Sequence, residues 1–389
     1  MRCLGAHPSA ALSGPVLRRA AVAQLSAASQ LARVARAPLP LPEQTLVRTM
    51  LPIATIIGAC AVLMVPCAIR SLMPKSKKIW RRAFTGFSLA VVVSAWIFSG
   101  TPLFLATFVM MAVLAQNEYY RMATSTTSGN ACYPTRKLGL LGSVAMYVAA
   151  ASDNAVLREA MFPLTGTVTI LYLLLRQERN TPPTTTTDVA TSFMGIYYFG
   201  LMPSYWIRLR TIGPSISAAA AAALFLPAER VATWSLLRAL DGVDNFTRGA
   251  LMQWWTMFAI VMADVTAYFT GKRLGKTPLI KISPNKTWEG LLGGCAASVA
   301  CSVSGAWLMA WPAPLISGAL YGLVLATMAL IGDLVVSLLK RSAGMKDTGG
   351  LLPGHGGLLD RIDSYILVSA PAYLYVKFAL PLFARLLPG

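Results

Sequence analysis

The amino-acid sequence predicts an all-α protein that crosses a membrane several times. Of its 389 residues 56% are hydrophobic, only 13% are charged, and several stretches of 15 to 22 residues carry no charge at all. Soluble domains carry about 25% charged residues, whereas a helix needs about 20 apolar residues to cross a bilayer core. Most charge-free stretches lack the polar face of a soluble amphipathic helix. We therefore expect a bundle of eight to ten transmembrane helices.

Residues 1–49 differ in composition from the rest of the chain. They contain six arginines, no lysine and a single acid, Glu43, and much of the remainder is alanine, serine and proline. This composition is typical of an organelle transit peptide, and a disordered cytosolic tail is the alternative. We divide the chain into a disordered transit peptide (1–49), the N-terminal and middle transmembrane helices (50–249), and a transmembrane domain that carries the candidate active site (250–389).

The apolar runs predict where the individual helices lie. The first run, 51–69, is followed by a basic cluster at 75–82, which we expect on the side from which the chain is inserted. Residues 83–115 are too long for one span, and residues 100–102 (Gly-Thr-Pro) predict a break. The aromatic pair Tyr119–Tyr120 closes this unit, and we expect it at the membrane interface. Further spans are predicted at 138–152, 161–175, 189–207, 250–270, 290–311, 313–340 and 363–386.

The charge and the cysteines restrict the classes of partner and cofactor. The net charge of +19 would suggest nucleic acid in a soluble protein, but here the basic groups flank apolar runs and occupy two short loops. That arrangement suits anionic head groups and phosphate-bearing substrates, so we predict no nucleic-acid partner. The six cysteines form no C-x-x-C pair, and the chain has only two histidines. This composition argues against a disulfide framework and a zinc site, and it excludes a histidine-rich metal site.

Carboxylates inside apolar segments indicate the candidate site, because a charge within a membrane helix is costly and usually functional. Asp264 lies near the end of one predicted span and Asp333 lies within another. Each could instead simply pair with a lysine on a neighbouring helix. In a helix, Asp333 shares its face with three later residues, Ser337, Lys340 and Arg341. A carboxylate deep in the span, with two cations at its mouth, suits a metal ion with phosphates above it.

The stretch 346–357 is predicted to contact phosphate groups. It contains five glycines within nine residues, which lets backbone N–H groups approach an anion closely. It also carries Lys346, Asp347 and His355 among these glycines. His355 could donate a hydrogen bond to a phosphate oxygen or serve only to hold the loop, and both roles remain open.

Two further groups of polar residues complete the predicted site. Asp360, Arg361 and Asp363 open the last helix, and the spacing of the two acids makes their carboxylates face the same way. Mg²⁺ prefers such an all-oxygen ligand set. A second basic loop, between two predicted spans, contains a Ser-Pro-x-Lys turn with Ser283 and Lys286. We interpret it as a loop that faces phosphate.

These residues, taken together, resemble the phosphatidate cytidylyltransferase (CDP-diacylglycerol synthase) family. The matching C-terminal blocks are Ser337-x-Leu339-Lys340-Arg341, Lys346-Asp347-x-Gly349 and Leu352-Pro353-x-His355-Gly356-Gly357-Leu358-x-Asp360-Arg361-Ile362-Asp363. The upstream blocks, Asp264-x-x-Ala267-Tyr268 and Ser283-Pro284-x-Lys286-Thr287-Trp288-Glu289-Gly290, are similar to the family's second block. Asn285 stands where the family commonly has lysine. The strong resemblance covers 250–375, and weaker matches at 117–121 and 193–195 look most like plastid members.

The resemblance implies that CTP reacts with phosphatidate to give CDP-diacylglycerol and pyrophosphate, for the synthesis of phospholipids such as phosphatidylglycerol. It also implies a divalent metal, Mg²⁺, bound by Asp333 and Asp360, with a monovalent cation such as K⁺ beside it. We count both acids as catalytic, together with Lys340, Arg341, Lys346 and His355. The predicted substrate-binding residues are Asp264, Ser283, Lys286, Ser337, Asp347, Arg361 and Asp363.

The expected partners are CTP, phosphatidate within the bilayer and membrane lipids, and the sequence leaves a monomer and a homodimer open. We expect the chain in the chloroplast inner or thylakoid membrane rather than in a mitochondrial membrane. Two other functions are considered. A CTP-dependent polyprenol or phytol kinase would need a general base for its alcohol acceptor. A transporter with an intramembrane carboxylate often shows two matching halves, and none are found here.

Overall fold

The computed structural model describes residues 90–99, 101–124, 135–176, 183–213, 215–216, 246–349 and 357–387. The predicted transit peptide (1–49), the first span (51–69) and the basic cluster (75–82) lie outside these residues. So do residues 350–356 of the glycine-rich stretch, which include His355.

The described chain is a bundle of α-helices. In chain order the helices are α1 (90–97), α2 (Thr101–Thr124), α3 (Arg136–Ala151), α4 (Ala155–Arg176), α5 (Thr186–Met194), α6 (Met202–Arg210), α7 (Arg248–Leu274), α8 (Trp288–Leu308), α9 (Pro314–Ser342), α10 (Leu359–Leu374) and α11 (Leu380–Leu386). Two π-helical turns, Gly195–Leu201 and Tyr375–Ala379, join α5 to α6 and α10 to α11 without a break. Strands β1 (Ser215–Ile216) and β2 (Phe246–Thr247) form a two-residue antiparallel pair ahead of α7.

Four of the described segments are long and apolar enough to cross a membrane: α7, α8, α9 and the continuous α10–α11. Large apolar side chains point outward from them, such as Trp307 and Leu315, which are 71% and 73% exposed. Lipid tails cover such a surface in a bilayer, where each helix satisfies its own backbone hydrogen bonds. The chain is therefore an all-α membrane protein, as its composition predicts. The total of eight to ten spans stays a prediction, because the first expected span lies outside the described residues.

The helices follow the predicted apolar runs closely. Each of the seven runs from 138 to 386 corresponds to a helix or to a pair of helices joined by a π-helical turn. The predicted break is also present, since α1 ends at residue 97 and α2 begins at Thr101. Helix α2 continues to Thr124, beyond the expected end at 115, so the polar segment 117–121 is helical.

The aromatic pair on α2 is buried within the protein and does not face lipid or water. Tyr119 and Tyr120 are 2% and 0% exposed, because neighbouring helices surround this end of α2. The ring of Tyr119 stacks on Phe199 with centroids 4.7 Å apart. The hydroxyl end of Tyr120 fits against Gly139 and Gly195, where a Cβ atom on either glycine would collide with it. The pair therefore anchors α2 to α3 and to the α5–α6 segment within the protein.

Helices α7, α8, α9 and α10 pack side by side in chain order. A chain that runs back and forth in this way alternates between the two ends of the bundle. The connections after α7 and after α9 consequently lie at the same end, which we call the site end. The ion pair between Lys286, in the first connection, and Asp333 of α9 is formed there.

Arg210, the last residue of α6, lies at the opposite end of the bundle and is only 1% exposed. Its Nε donates to the carbonyl oxygen of Ile97 at 3.1 Å, and Nη1 donates to Thr101 Oγ1 at 3.0 Å. Nη2 donates to the carbonyl of Ser99. The group also lies over the ring of Phe104, 4.7 Å from its centroid. Arg210 thus fixes the turn between α1 and α2.

Candidate active site

The centre of the candidate site is Asp333 on α9. One carboxylate oxygen of Asp333 forms an ion pair with the ammonium group of Lys286, and the other accepts a hydrogen bond from Ser337 Oγ at 3.3 Å. Ser337 follows one helical turn after Asp333, so the predicted polar face of α9 is present. Both members of the ion pair are partly exposed, which leaves the carboxylate open toward the site end.

Two more predicted acids lie close to Asp333. Asp264 of α7 is near enough to Lys286 and Asp333 to interact with both electrostatically, and Ser364 of α10 is its neighbour. Asp363 of α10 lies within hydrogen-bonding reach of Asp333 and accepts from the backbone N–H of Ser364 at 2.8 Å. Three helices therefore bring three carboxylates together, with Asp264 and Asp363 on either side of Asp333 in chain order. This excess of negative charge favours binding of a cation.

Asp360, in the first turn of α10, is held differently. Its Oδ1 accepts from Lys340 Nζ at 2.8 Å. Its Oδ2 accepts from the backbone N–H of Thr348 at 2.9 Å, from the hydroxyl of Thr348 at 3.1 Å and from the backbone N–H of Gly357 at 3.1 Å. Asp360 therefore ties the end of α9 and both flanks of the glycine-rich stretch to the start of α10.

The predicted ligands can be tested for Mg²⁺ by their donor atoms. Both Asp333 and Asp360 offer the carboxylate oxygens that Mg²⁺ prefers, and each is paired with a lysine, Lys286 or Lys340. No group of three acids, histidines or cysteines among the described residues converges closely enough to enclose an ion. Mg²⁺ commonly completes its coordination shell with substrate phosphates and water. The two acids therefore supply suitable oxygen atoms, and substrate phosphates and water would have to supply the remaining ligands.

The other predicted charged residues lie at the site end. Arg341 follows Lys340 at the end of α9 and is exposed, and Lys346 and Asp347 are exposed in the connection that follows. Arg361 is exposed in the first turn of α10. Exposed cations around a partly buried acid pair form a mouth suited to a polyanionic substrate.

The connection between α7 and α8 forms the predicted turn. The backbone N–H of Lys286 donates to the carbonyl of Ser283 at 3.0 Å, with Pro284 in the second position, which favours such turns. The hydroxyl of Thr287 then accepts from the N–H of Gly290 at 3.1 Å and caps α8. The turn and the cap together aim Lys286 at Asp333.

A π-helical turn supports the backbone beside Asp333. The hydroxyl of Tyr198, within the turn, donates to the carbonyl of Gly332 at 3.2 Å. Gly332 also lets α10 approach, because a Cβ atom there would lie only 2.7 Å from the carbonyl oxygen of Asp363. Such turns occur frequently at functional sites.

Glu118 of α2 reaches the same region and is a residue that the sequence did not predict. Its carboxylate accepts from Thr348 Oγ1 at 3.0 Å and from the N–H groups of Leu358 and Leu359 at 3.1 and 2.9 Å. Thr348 lies 230 residues further along the chain, so no local pattern reveals the contact. The available signal is a carboxylate close to an apolar run, which is also the signal that indicates Asp264.

Comparison with known proteins identifies the family of the chain. The model of the cytidylyltransferase family matches residues 80–379. A phosphatidate cytidylyltransferase of Synechocystis sp. is 37% identical over 309 residues, which cover 78% of this chain and 97% of the relative. Phosphatidate cytidylyltransferase 4, chloroplastic, of Arabidopsis thaliana is 29% identical over 311 residues, 79% of this chain and 76% of the relative. The resemblance carried by the C-terminal motifs is thereby confirmed, and the chain belongs to the cytidylyltransferase family, among the phosphatidate cytidylyltransferases.

Proposed function

We propose that this chain transfers the cytidylyl group of CTP to phosphatidate, giving CDP-diacylglycerol and pyrophosphate for phospholipid synthesis, including that of phosphatidylglycerol. The observation that carries the proposal is the joint placement of the two acid–lysine pairs, Asp333 with Lys286 and Asp360 with Lys340, at one end of a membrane bundle. Phosphatidate keeps its acyl chains in the bilayer, so a site built at helix ends can meet both a lipid head group and a soluble nucleotide.

The chemistry needs little acid–base help from the protein. A phosphate oxygen of phosphatidate, already anionic at neutral pH, attacks the α-phosphorus of CTP, and the bond to the β-phosphate breaks to release pyrophosphate. Such transfers depend mainly on positioning and on neutralising charge. Lys286, Lys340, Arg341 and Lys346 hold the triphosphate and the phosphatidate head group. The two lysines then exchange their present carboxylate partners for phosphate oxygens.

In this proposal Asp333 and Asp360, with oxygens of the substrate, would hold Mg²⁺, and its charge would offset the negative charge of the reacting phosphates. Asp264 and Asp363 add negative charge nearby, which would favour a monovalent cation such as K⁺. The expected metal dependence is measured by removing divalent ions with a chelator and restoring the activity with Mg²⁺.

CTP labelled at one of two positions separates the proposed reaction from its alternatives. Membranes that contain the protein are given CTP labelled in either the α- or the γ-phosphate, with phosphatidate or phytol as the acceptor. Cytidylyl transfer places only the α-label in lipid and requires phosphatidate. A kinase would place the γ-label on phytol, and a transporter would label no lipid, so either result would contradict the proposal.

The proposed location is the chloroplast, in the inner or the thylakoid membrane, with the site end facing the stroma where CTP is available. Support comes from the acid-poor, arginine-rich segment 1–49 and from the similarity to chloroplastic proteins of Arabidopsis. Fusing residues 1–60 to a fluorescent protein tests whether this segment directs a protein to the chloroplast. Fluorescence in mitochondria or in the endoplasmic reticulum would refute the plastid location and leave the reaction untouched.

A further inference from the structure

We infer that Glu118 is a positioning residue: it clamps both flanks of the glycine-rich stretch and, through Thr348, fixes the carboxylate of Asp360. The catalytic consequence rests on the proposed cytidylyl transfer, whereas the clamp itself is a property of the fold. No element of the C-terminal signature contains Glu118, which lies on α2, in the half of the chain ahead of the predicted catalytic domain.

The carboxylate of Glu118 caps helix α10 from outside. The residue is 7% exposed, and the three hydrogen bonds that it accepts from the glycine-rich stretch and α10 come from neutral donors. Two of these donors, the N–H groups of Leu358 and Leu359, lie at the start of α10, which has no side-chain cap of its own. A negative charge at a helix N-terminus is favourable, so the charge of Glu118 has a structural partner in α10.

Thr348 connects Glu118 to the active-site acid. Its hydroxyl lies 3.0 Å from Glu118 Oε2 and 3.1 Å from Asp360 Oδ2, and its backbone N–H donates to the same oxygen of Asp360 at 2.9 Å. A hydroxyl has a single proton, so the two carboxylates share it. The orientation of Asp360, and of Lys340 paired with it, is thereby coupled to α2.

The flanking glycines show how closely the clamp fits. A Cβ atom on Gly357 would lie 2.1 Å from Thr348 Oγ1 and 2.6 Å from Glu118 Oε2, and one on Gly349 would lie 3.1 Å from Glu118 Oε1. The Cβ position of Gly357 is also only 2.9 Å from the backbone nitrogen of Gly349. Both flanks therefore meet at the Glu118 carboxylate, and glycine is required at Gly357 for this approach.

The first test compares Glu118→Gln with Glu159→Gln in the purified full-length protein. Glu159 is an exposed carboxylate at the opposite end, where it accepts a hydrogen bond from Arg208, so its variant controls for loss of a hydrogen-bonded carboxylate away from the site. The amide introduced by Glu118→Gln replaces one acceptor oxygen with donors that face N–H groups. We expect kcat/KM for CTP to fall about ten- to a hundredfold, as for loss of hydrogen bonds to a charged group, with a raised KM. Lower yield of folded protein alone would reduce kcat and leave KM unchanged.

Thr348 variants provide the conservative rescue. Thr348→Ser keeps the hydroxyl and should retain most activity, whereas Thr348→Val should raise the KM for CTP as Glu118→Gln does. If the two residues act through one series of hydrogen bonds, kcat/KM of the double variant Glu118→Gln/Thr348→Val should be little lower than that of the less active single variant. Fully additive losses would overturn the proposed coupling.

Limited trypsin digestion tests the clamp without using activity. Lys346 lies just ahead of the clamped flank, and cleavage after it follows local opening of the backbone. We expect cleavage there to be several-fold faster in Glu118→Gln than in the wild type or in Glu159→Gln. Unchanged cleavage, with an unchanged KM for CTP, would overturn the inference. If the wild type made no CDP-diacylglycerol, the proposed function would be refuted. The digestion would still show whether Glu118 restrains the backbone near Lys346.

Discussion

Each predicted metal ligand forms an ion pair with a lysine, and the side chains of the two pairs differ in their exposure to solvent. The side chains of Lys340 and Asp360 are 14% and 11% exposed, whereas those of Lys286 and Asp333 are 25% and 29% exposed. Asp333 is therefore the more accessible acid and Asp360 the more firmly held.

Asp333→Asn and Asp360→Asn should each reduce turnover by at least about a hundredfold, because each removes a charge that the proposed Mg²⁺ site needs. The folds should persist, since an amide oxygen still accepts hydrogen bonds. Turnover of CTP and the size-exclusion profile in detergent are the measurements. Asp153→Asn, at an exposed position of the opposite end, is the control. Near-normal activity in either active-site variant would refute its role as a ligand.

Lys340→Ala should weaken phosphate binding and expose a second effect on stability. The variant leaves the largely buried Asp360 without its cation, which costs roughly 1–3 kcal/mol. We expect activity to be only partly recovered at high CTP, together with a lower melting temperature. A variant with an unchanged KM for CTP would contradict the predicted phosphate contact.

Among the helices, α8 and α9 approach each other most closely where small residues let their backbones come into contact. On α9, Gly318 and Gly322 are four residues apart, the spacing common where membrane helices approach closely. A Cβ atom on Gly322 would lie 2.6 Å from the carbonyl of Ser298 and from Cα of Val299 on α8. Ser298 Oγ also donates to the Gly322 carbonyl at 2.8 Å.

Gly322→Ala should therefore destabilise the protein by about 1–3 kcal/mol, since the colliding atoms are backbone and cannot move aside. Thermal unfolding in detergent measures the effect. Leu323→Ala alters the next residue, which is 45% exposed toward lipid, and should shift the melting temperature less. An equal or larger shift for the lipid-facing variant would contradict this packing.

The elements also show what a sequence can and cannot predict. Helix positions from 138 onward were predictable, because an apolar run is a local property of the chain. Asp333 and Ser337 were predictable as one face for the same reason. Tyr119 was misplaced and Glu118 was not identified as a site residue, because their surroundings come from α3, α5, α10 and the adjoining segments, far away in sequence. The spacing of Gly318 and Gly322 can be recognised in the sequence. The sequence does not show which helix these two glycines contact.

The molecule as a whole is polarised by charge. Most of the basic side chains among the described residues lie at the site end. Many of them are in or next to the last or first turn of a helix that ends or begins there: Arg121, Arg136, Lys137, Lys272, Arg273, Lys276, Lys340 and Arg341. Such an excess stays on the side from which a membrane protein is inserted. The predicted cluster at 75–82 should share that side.

Cysteine labelling in sealed vesicles checks this orientation. Lys276→Cys and Lys346→Cys should react with a membrane-impermeant maleimide from the same side, and Asp153→Cys only from the other. All three positions are exposed in the fold, so access depends on sidedness. The signal of the unsubstituted protein provides the background. Labelling of the two lysine positions from opposite sides would refute a shared active site.

Arg210 also imposes an order on biosynthesis. Its guanidinium donors reach Ile97 and Thr101, which precede it by 113 and 109 residues, so the α1–α2 turn leaves the ribosome well before α6 does. A guanidinium is costly in lipid until it finds acceptors. We therefore expect the α1–α2 hairpin to be in place when α6 arrives, so that the later helices assemble on a scaffold whose opposite end is already fixed.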